Sequence, residues 1–348
     1  MSAALRIPVE VVFAPNWWFQ NYGISFDEGF YLDRDQRIEN DVRMRRALHE
    51  RFGIGASDDA PRPVVGSEHV AGGFVVPALL GVEIRFSPNQ APWPVARELS
   101  RDAILALEVP DVESAWPMSR LIEDMDWLER QFGCVLGDFN TDGVLNTALQ
   151  LRGPQFFLDL REDPELVAHL CTVVTETQTR VAQYVRRRTG TCSVAVNRSI
   201  VHVDRAMYLH ADCSTQMVSP AMFGASLLEY ERRLAERLRP FGIHHCGDNL
   251  HLFAKLYAET GAVFYDVGWG SDVARCAAAL PDAFLNLRLS PVRMLQCRAG
   301  EIRRDIEGLL AAVGRTANVG LCCMNMDYGT PDENALALLA AGETYAGK

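Results

Sequence analysis

From Asp163 to the C-terminus, short apolar runs alternate with capped helical stretches, and no other feature limits the fold as tightly. Asp163-Pro164-Glu165 supplies an N-cap and a proline at the first helical position. The helix it opens carries Leu166, Leu170, Val173, Val174, Val181 and Tyr184 and ends in Arg186-Arg187-Arg188 before Gly190. The run Ile200-Val201-His202-Val203 reads as a strand that leads through Asp212 to Ser219-Pro220, a second cap-and-proline start for a helix reaching Arg239. Strands are then expected over residues 242–244, 263–267, 283–289 and 317–321, with helices over 250–260, 272–280 and 299–313 between them. Thr330-Pro331-Asp332-Glu333 is a capping box that starts a terminal helix. Short apolar strands alternating with helices mean parallel strands and right-handed crossovers, hence a doubly wound sheet or an eight-stranded barrel.

The preceding part is less regular. Val9 to Ala14 reads as a short strand, and Asp33 to Gly53 as a helix stopped by its glycine. Between them Pro15-Asn16-Trp17-Trp18-Phe19-Gln20-Asn21-Tyr22-Gly23 follows neither a helical nor a strand period. Isolated aromatic runs are more often packing than recognition, so one reading is a satellite hydrophobic cluster at one end of a barrel. The sharper reading is a wall or lid over a substrate with an apolar body, in which Trp17, Trp18 and Tyr265 are the substrate contacts. Residues 55–94 are loop-like, with extended pieces at 73–77 and 81–86 and an irregular path enforced by Pro92-Trp93-Pro94. A helix over 111–132 and a strand over 143–149 follow.

With 348 residues, 48% hydrophobic and 23% charged, the chain has the apolar material for one large core. Its net charge of −11 argues against a partner held through phosphates, because nucleic-acid affinity rests on lysine and arginine. No basic start followed by an apolar run is present, and no stretch is long and apolar enough to cross a bilayer, so a cytoplasmic location is expected. Nine cysteines without framework spacing read as reduced thiols, most of them small core residues.

Two cysteine-bearing segments stand apart. In Gly242-Ile243-His244-His245-Cys246-Gly247-Asp248-Asn249, His244 and Cys246 are two positions apart on an extended segment and point to one side, as two ligands of one metal would. Cys322 or Cys323 is the natural supplier of a further ligand. His245 points the other way and reads as a packed histidine, while Asp248 is placed to orient a ligand histidine. No Gly-x-Gly-x-x-Gly or phosphate loop occurs. Asp212, His244-Cys246, Asp266 and Cys322-Cys323 fall near the ends of different strands, where barrel enzymes build their sites, so a (β/α)8 barrel is the expected fold.

From about residue 140 onward the chain resembles the uroporphyrinogen decarboxylase superfamily, and especially its cobalamin-linked methyltransferase branch. The resemblance is carried by Leu151-Arg152-Gly153 with Asp159-Leu160 and Asp163-Pro164-Glu165, by Ser219-Pro220, by His244-x-Cys246-Gly247, by Ser290-Pro291 with Ala299-Gly300-Glu301-Ile302, and by Gly329-Thr330-Pro331-Asp332-Glu333-Asn334. It implies one domain over residues 1–348, with 1–135 as an N-terminal extension and lid and 136–348 as the barrel core. The arginine-rich Arg-Gln-Ala-Gly-Arg stretch of the true decarboxylases is missing, and the aspartate of their Phe-Ser-Asp turn is replaced in Phe86-Ser87-Pro88. Action on uroporphyrinogen is therefore not expected.

The methyltransferase branch carries zinc on His-x-Cys and a distal cysteine. The resemblance thus implies Zn2+ on His244, Cys246 and Cys323, with Cys322 as the alternative and Asp212, Asp266 or water in the fourth position. The implied reaction moves a methyl group between a small ether, thioether or thiol and a corrinoid, the zinc activating the heteroatom. No corrinoid-binding Asp-x-His-x-x-Gly is present, so a separate corrinoid-binding protein, or free cobalamin, is the implied partner beside the small-molecule methyl donor or acceptor. The competing expectation within the superfamily is a metal-free decarboxylase or lyase using Asp212 or Asp266 as its catalytic acid-base group.

Overall fold

The computed structural model describes residues 7–56, 58–66, 72–137, 139–191, 194–195, 198–199 and 202–344. Its central sheet has six parallel strands: β1 (Val9–Phe13), β2 (Tyr208–Ala211), β3 (Phe241–His244), β4 (Phe264–Val267), β5 (Phe284–Arg288) and β6 (Val319–Met326). They lie in the order β1-β6-β5-β4-β3-β2. A doubly wound sheet reverses its strand order at a switch point. Here β2 to β6 follow one another without reversal and β6 turns back onto β1, which is the winding of a barrel wall. Among the described residues that wall has six strands rather than the expected eight. Between β1 and β2 in the chain, the described residues add an isolated parallel bridge, Val64 to Leu136, the antiparallel pair Glu83–Ser87 and Gln90–Val95, and the two-residue strands Val194–Ala195 and Arg198–Ser199, and none of these joins the six-stranded sheet. Since β1 lies in the same sheet, the N-terminal region contributes to the wall itself.

Register shows which side chains share a face. Leu209, Gly242, Phe264 and Phe284 form one row, and Ala211, His244, Asp266, Asn286 and Gly320 form the next row along the strands. Leu209 and Phe264 pack with Met207 as a small buried cluster on this inner face. The opposite face, with Tyr208, Phe241, Ile243, Tyr265, Leu285, Leu287 and Leu321, joins the main core under the helices. The inner face is therefore apolar at one level and polar at the next, towards the C-terminal strand ends.

Local signals account for most helices. Asp163 caps the helix Pro164–Thr189 by accepting from Leu166 N at 3.1 Å, and Gly190 ends it in a left-handed conformation. The helix Arg34–Phe52 starts at Asp33 and stops at Gly53 as its sequence predicts. Buried Arg37 and Asp124, 2.9 Å apart, tie it to the helix Met118–Phe132. The last of these is shorter than its expected span over 111–132.

Three expectations are corrected, and a fourth lies partly outside the described residues. Of residues 143–149, read as a strand, Gly143 is the N-cap and the rest lie in the helix Val144–Arg152, whose Val144, Leu145, Ala148 and Leu151 share a buried face at helical spacing. The extended piece at 73–77 is instead the helix Val75–Leu79, all five residues buried, so tertiary burial overrides the strand preference of its valines. Pro92-Trp93-Pro94 sits in the strand Gln90–Val95, paired antiparallel with Glu83–Ser87; neither strand of a two-stranded ribbon is central, so the prolines are tolerated. The expected strand over 200–203 falls partly outside the described residues, as do Ile200 and Val201, and the strand that leads to Asp212 is β2.

Candidate metal centre

His244 is the last residue of β3, and Cys246 lies two residues beyond it. Their side chains point to the same side as expected, with His244 Nε2 3.1 Å from Cys246 Sγ. The ring is fixed from behind: its Nδ1 is 2.7 Å from Oδ2 of Asp266 on the neighbouring β4, and both residues are fully buried. Oδ1 of Asp266 accepts from Asn286 Nδ2 at 2.9 Å, and the same amide reaches Glu10 Oε2 on β1 at 3.1 Å. Four strands thus hold one imidazole with Nε2 turned toward the sulfur. A carboxylate on the far nitrogen is the usual support of a metal-ligating histidine.

The third member is Cys213, its Sγ 3.3 Å from that of Cys246. Potential ligand atoms of Cys213, His244 and Cys246 all lie within 4.8 Å of one another. Cys213 follows β2, and its turn is pinned by three contacts. Asp212 N donates to His244 O at 2.8 Å, Ser214 N donates to Asn146 Oδ1 at 2.8 Å, and Asn146 Nδ2 donates to Ala211 O at 3.0 Å. Gly143 permits this approach, because a Cβ there would stand 2.4 Å from Ala211 O. The loop after Cys246 is similarly close to the next one: a Cβ on Gly268 would stand 1.9 Å from Gly247 O.

The two thiols are shifted in opposite directions. The hydrogen bond with Cys213 is the largest influence on Cys246; it outweighs burial and, with His244 and Arg288, holds the Cys246 thiol down to about 2. The same hydrogen bond, with burial, pushes Cys213 well above the ordinary thiol range. Arg288 Nη1 stands 3.4 Å from His244 Nε2 and 3.7 Å from Cys246 Sγ. Two thiols and one imidazole, one thiol held below its ordinary range and the ring fixed by a carboxylate, suit zinc.

The distal cysteines are placed differently from expectation. Cys323 is fully buried in the main core on the helix-facing side, its Sγ 3.9 Å from Met324 O, and burial pushes its thiol up to about 12. Parity decides this, since Cys323 lies two residues beyond Leu321 on the same face of β6. Cys322 is in register with Arg288 on the inner face, yet among the described residues it does not join the grouping of Cys213, His244 and Cys246.

Asp212 also faces the helices. Its Oδ1 accepts from Thr215 Oγ1 and its Oδ2 from Tyr257 OH at 2.5 Å, and burial, reinforced by Glu231, pushes its carboxyl up to about 6. Ligand atoms of His210, Asp212 and Glu231 form a second buried grouping within 4.8 Å, with His210 Nε2 3.0 Å from Glu231 Oε1. His245 points away from His244, as its strand position requires. Its Nδ1 is 2.9 Å from Tyr257 OH and its Nε2 2.8 Å from Asn249 Oδ1, and burial lowers it to about 4. Asp248 is exposed, and the partner of His244 is Asp266.

Trp17, Trp18 and Tyr265 do not form a wall over the cluster. Trp17 and Trp18 lie in the helix Pro15–Tyr22, each 1% exposed, with Trp17 stacked on Phe13 at 3.9 Å and Arg51 4.9 Å above its ring. Tyr265 is 0% exposed on the helix-facing side of β4. These three are core residues. Cys213, Asn286 and Arg288 were not picked out by the sequence as part of the site; the only signal was their place at strand ends or on the inner face, which depends on register.

No curated protein matches the chain by sequence. A solved methyltransferase from Methanosarcina mazei has a similar fold: the TM-score is 0.70 at 16% identity, and the match covers 98% of this chain and 94% of the other. No helix among the described residues is long and apolar enough to cross a membrane. Residues 71–345 match the family described as Uroporphyrinogen decarboxylase (URO-D), most of the length of the protein, and the chain therefore belongs to that family.

Proposed function

We propose that the protein is a zinc-dependent methyltransferase that moves a methyl group between a small ether, thioether or thiol and a corrinoid. The observation that carries this reading is the Cys213, His244 and Cys246 grouping, backed by Asp266 on the far nitrogen of His244. The methyltransferase fold neighbour supports it. Zinc, when bound, would lower the affinity of a coordinated thiol for its proton, or polarise an ether or thioether so that its heteroatom leaves more easily.

The chain's own residues prepare for that. Asp266 and Asn286 keep Nε2 of His244 turned toward the sulfurs. The hydrogen bond between the two sulfurs holds the Cys246 thiol below its ordinary range and, with burial, the Cys213 thiol above it. Cys213, His244 and Cys246 would hold the ion with three protein ligands and leave room for the substrate heteroatom, as catalytic rather than structural zinc sites do. With Trp17 and Trp18 in the core, nothing in the cluster favours one direction of transfer. The corrinoid would arrive on a separate protein or free, at the C-terminal strand ends. Exposed Met217, Trp269 and Tyr328 lie on the segments after β2, β4 and β6 and offer apolar contacts there.

The test is spectroscopic. Zinc-loaded protein is mixed with free methylcobalamin and simple thiols, or with cob(I)alamin and methyl thioethers or ethers, and the cobalamin absorbance is followed. Turnover that disappears in Cys246→Ala supports the proposal. Turnover unchanged in Cys246→Ala, or none with any of these pairs, contradicts it.

A further inference from the structure

Arg288 ends β5 with its side chain on the inner face and is 7% exposed. Its Nη1 reaches His244 Nε2 and Cys246 Sγ, but its Nε is buried with no hydrogen-bond partner among the described residues. Among the described residues no carboxylate oxygen lies within ion-pair distance of it. Other buried arginines are matched: Arg37 with Asp124 at 2.9 Å, and Arg45 with Asp41 at 2.9 Å. The chain has 45 acidic residues against 34 lysines and arginines, so a missing carboxylate at this one position does not reflect a shortage of acids. A guanidinium cannot shed its charge, and a buried charge needs an anion or a full set of acceptors. The Cys246 sulfur answers one edge of the group at 3.7 Å, and Cys322 and Asp266 also favour its charge without pairing its Nε. The remaining donors have the planar fork that matches a carboxylate.

We infer that Arg288 anchors a carboxylate on the substrate, the same small molecule whose sulfur or oxygen meets the Cys213, His244 and Cys246 grouping. This rests on the methyltransferase reading for the identity of the heteroatom but not for the anion. The closeness of Nη1 to Cys246 Sγ requires the carboxylate and the heteroatom to be joined by a short carbon spacer. The substrate class is then a short thiol or methylated-thiol acid, or its ether counterpart, rather than a neutral alcohol, thiol or aromatic ether. Arg288 selects among substrates by charge, and Lys cannot replace it fully because it lacks the fork.

The experiment compares β-mercaptopropionate with its uncharged amide by calorimetry, on wild type, Arg288→Met and Arg288→Lys, with zinc content measured on the same samples. The expected result is an acid preference of about tenfold or more in wild type, falling to about twofold or less in Arg288→Met and intermediate in Arg288→Lys. Equal preference in wild type and Arg288→Met overturns the assignment, as does a wild type that does not prefer the acid. Loss of zinc from Arg288→Met with the preference intact also overturns it, and would give the guanidinium a role in supporting the thiolate alone. A protein that takes up no zinc fails the metal reading, and the acid and amide comparison on that same protein still decides the anchor.

Discussion

Asp266 is the residue on which the geometry of the cluster depends most. One oxygen fixes the His244 ring and the other holds Asn286, so removing it frees the imidazole to turn its Nε2 away from the sulfurs. Asp266→Ala is expected to weaken zinc binding about 10–100-fold, measured by competition with a chelator, while the fold persists. Unchanged affinity would mean that the ring is held without its carboxylate. At this scale the sequence singled out two of the three residues that the structure groups. His244 and Cys246 are two apart, and that spacing alone puts them on one side. Cys213 is one of nine cysteines and is brought in by a turn whose contacts come from the distant Asn146 and His244. The choice between Cys322 and Cys323 depends on the face each takes on β6, which a run of buried residues does not disclose.

Among the elements, the helix Pro15–Tyr22 is the clearest case of composition inviting a functional reading that packing absorbs. Trp17 lies between Phe13, Phe52 and Trp18, so Trp17→Ala is expected to cost about 3–5 kcal/mol in urea unfolding and to leave ligand affinity within twofold, roughly, on the folded fraction. A variant with full stability and lost binding would restore the wall. The turn after β3 makes a different prediction through His245, which is held neutral. Its value in the fold is about 4 against an ordinary 6.5, so the stability it contributes is complete above pH 6.5 and is lost as pH falls through about 4. Zinc-free wild type is therefore expected to lose stability more steeply over that window than His245→Gln, by urea midpoints at each pH; parallel curves would contradict it. Helix caps such as Asp163 with Pro164 and Gly190 were legible because their chemistry is local. The helix Val144–Arg152 and β2 were not: the first is a short, largely buried segment without a side-chain cap, and the second is four buried residues without a turn signal.

For the whole molecule, the alternation of strand and helix from residue 163 onward was enough to predict parallel strands, and the unreversed order of β2 to β6 gives the barrel-like winding. That winding sets His244, Asp266 and Asn286 side by side from three strands and brings Glu10 to them from the far end of the chain. The most direct test of the account is elemental analysis of the purified protein beside Cys213→Ser, Cys246→Ser and Cys323→Ser, with circular dichroism to confirm that each is folded. The account predicts about one zinc per chain in wild type and Cys323→Ser, and little in Cys213→Ser and Cys246→Ser. Zinc retained without Cys213 but lost without Cys323, or a wild type that binds none, would contradict it.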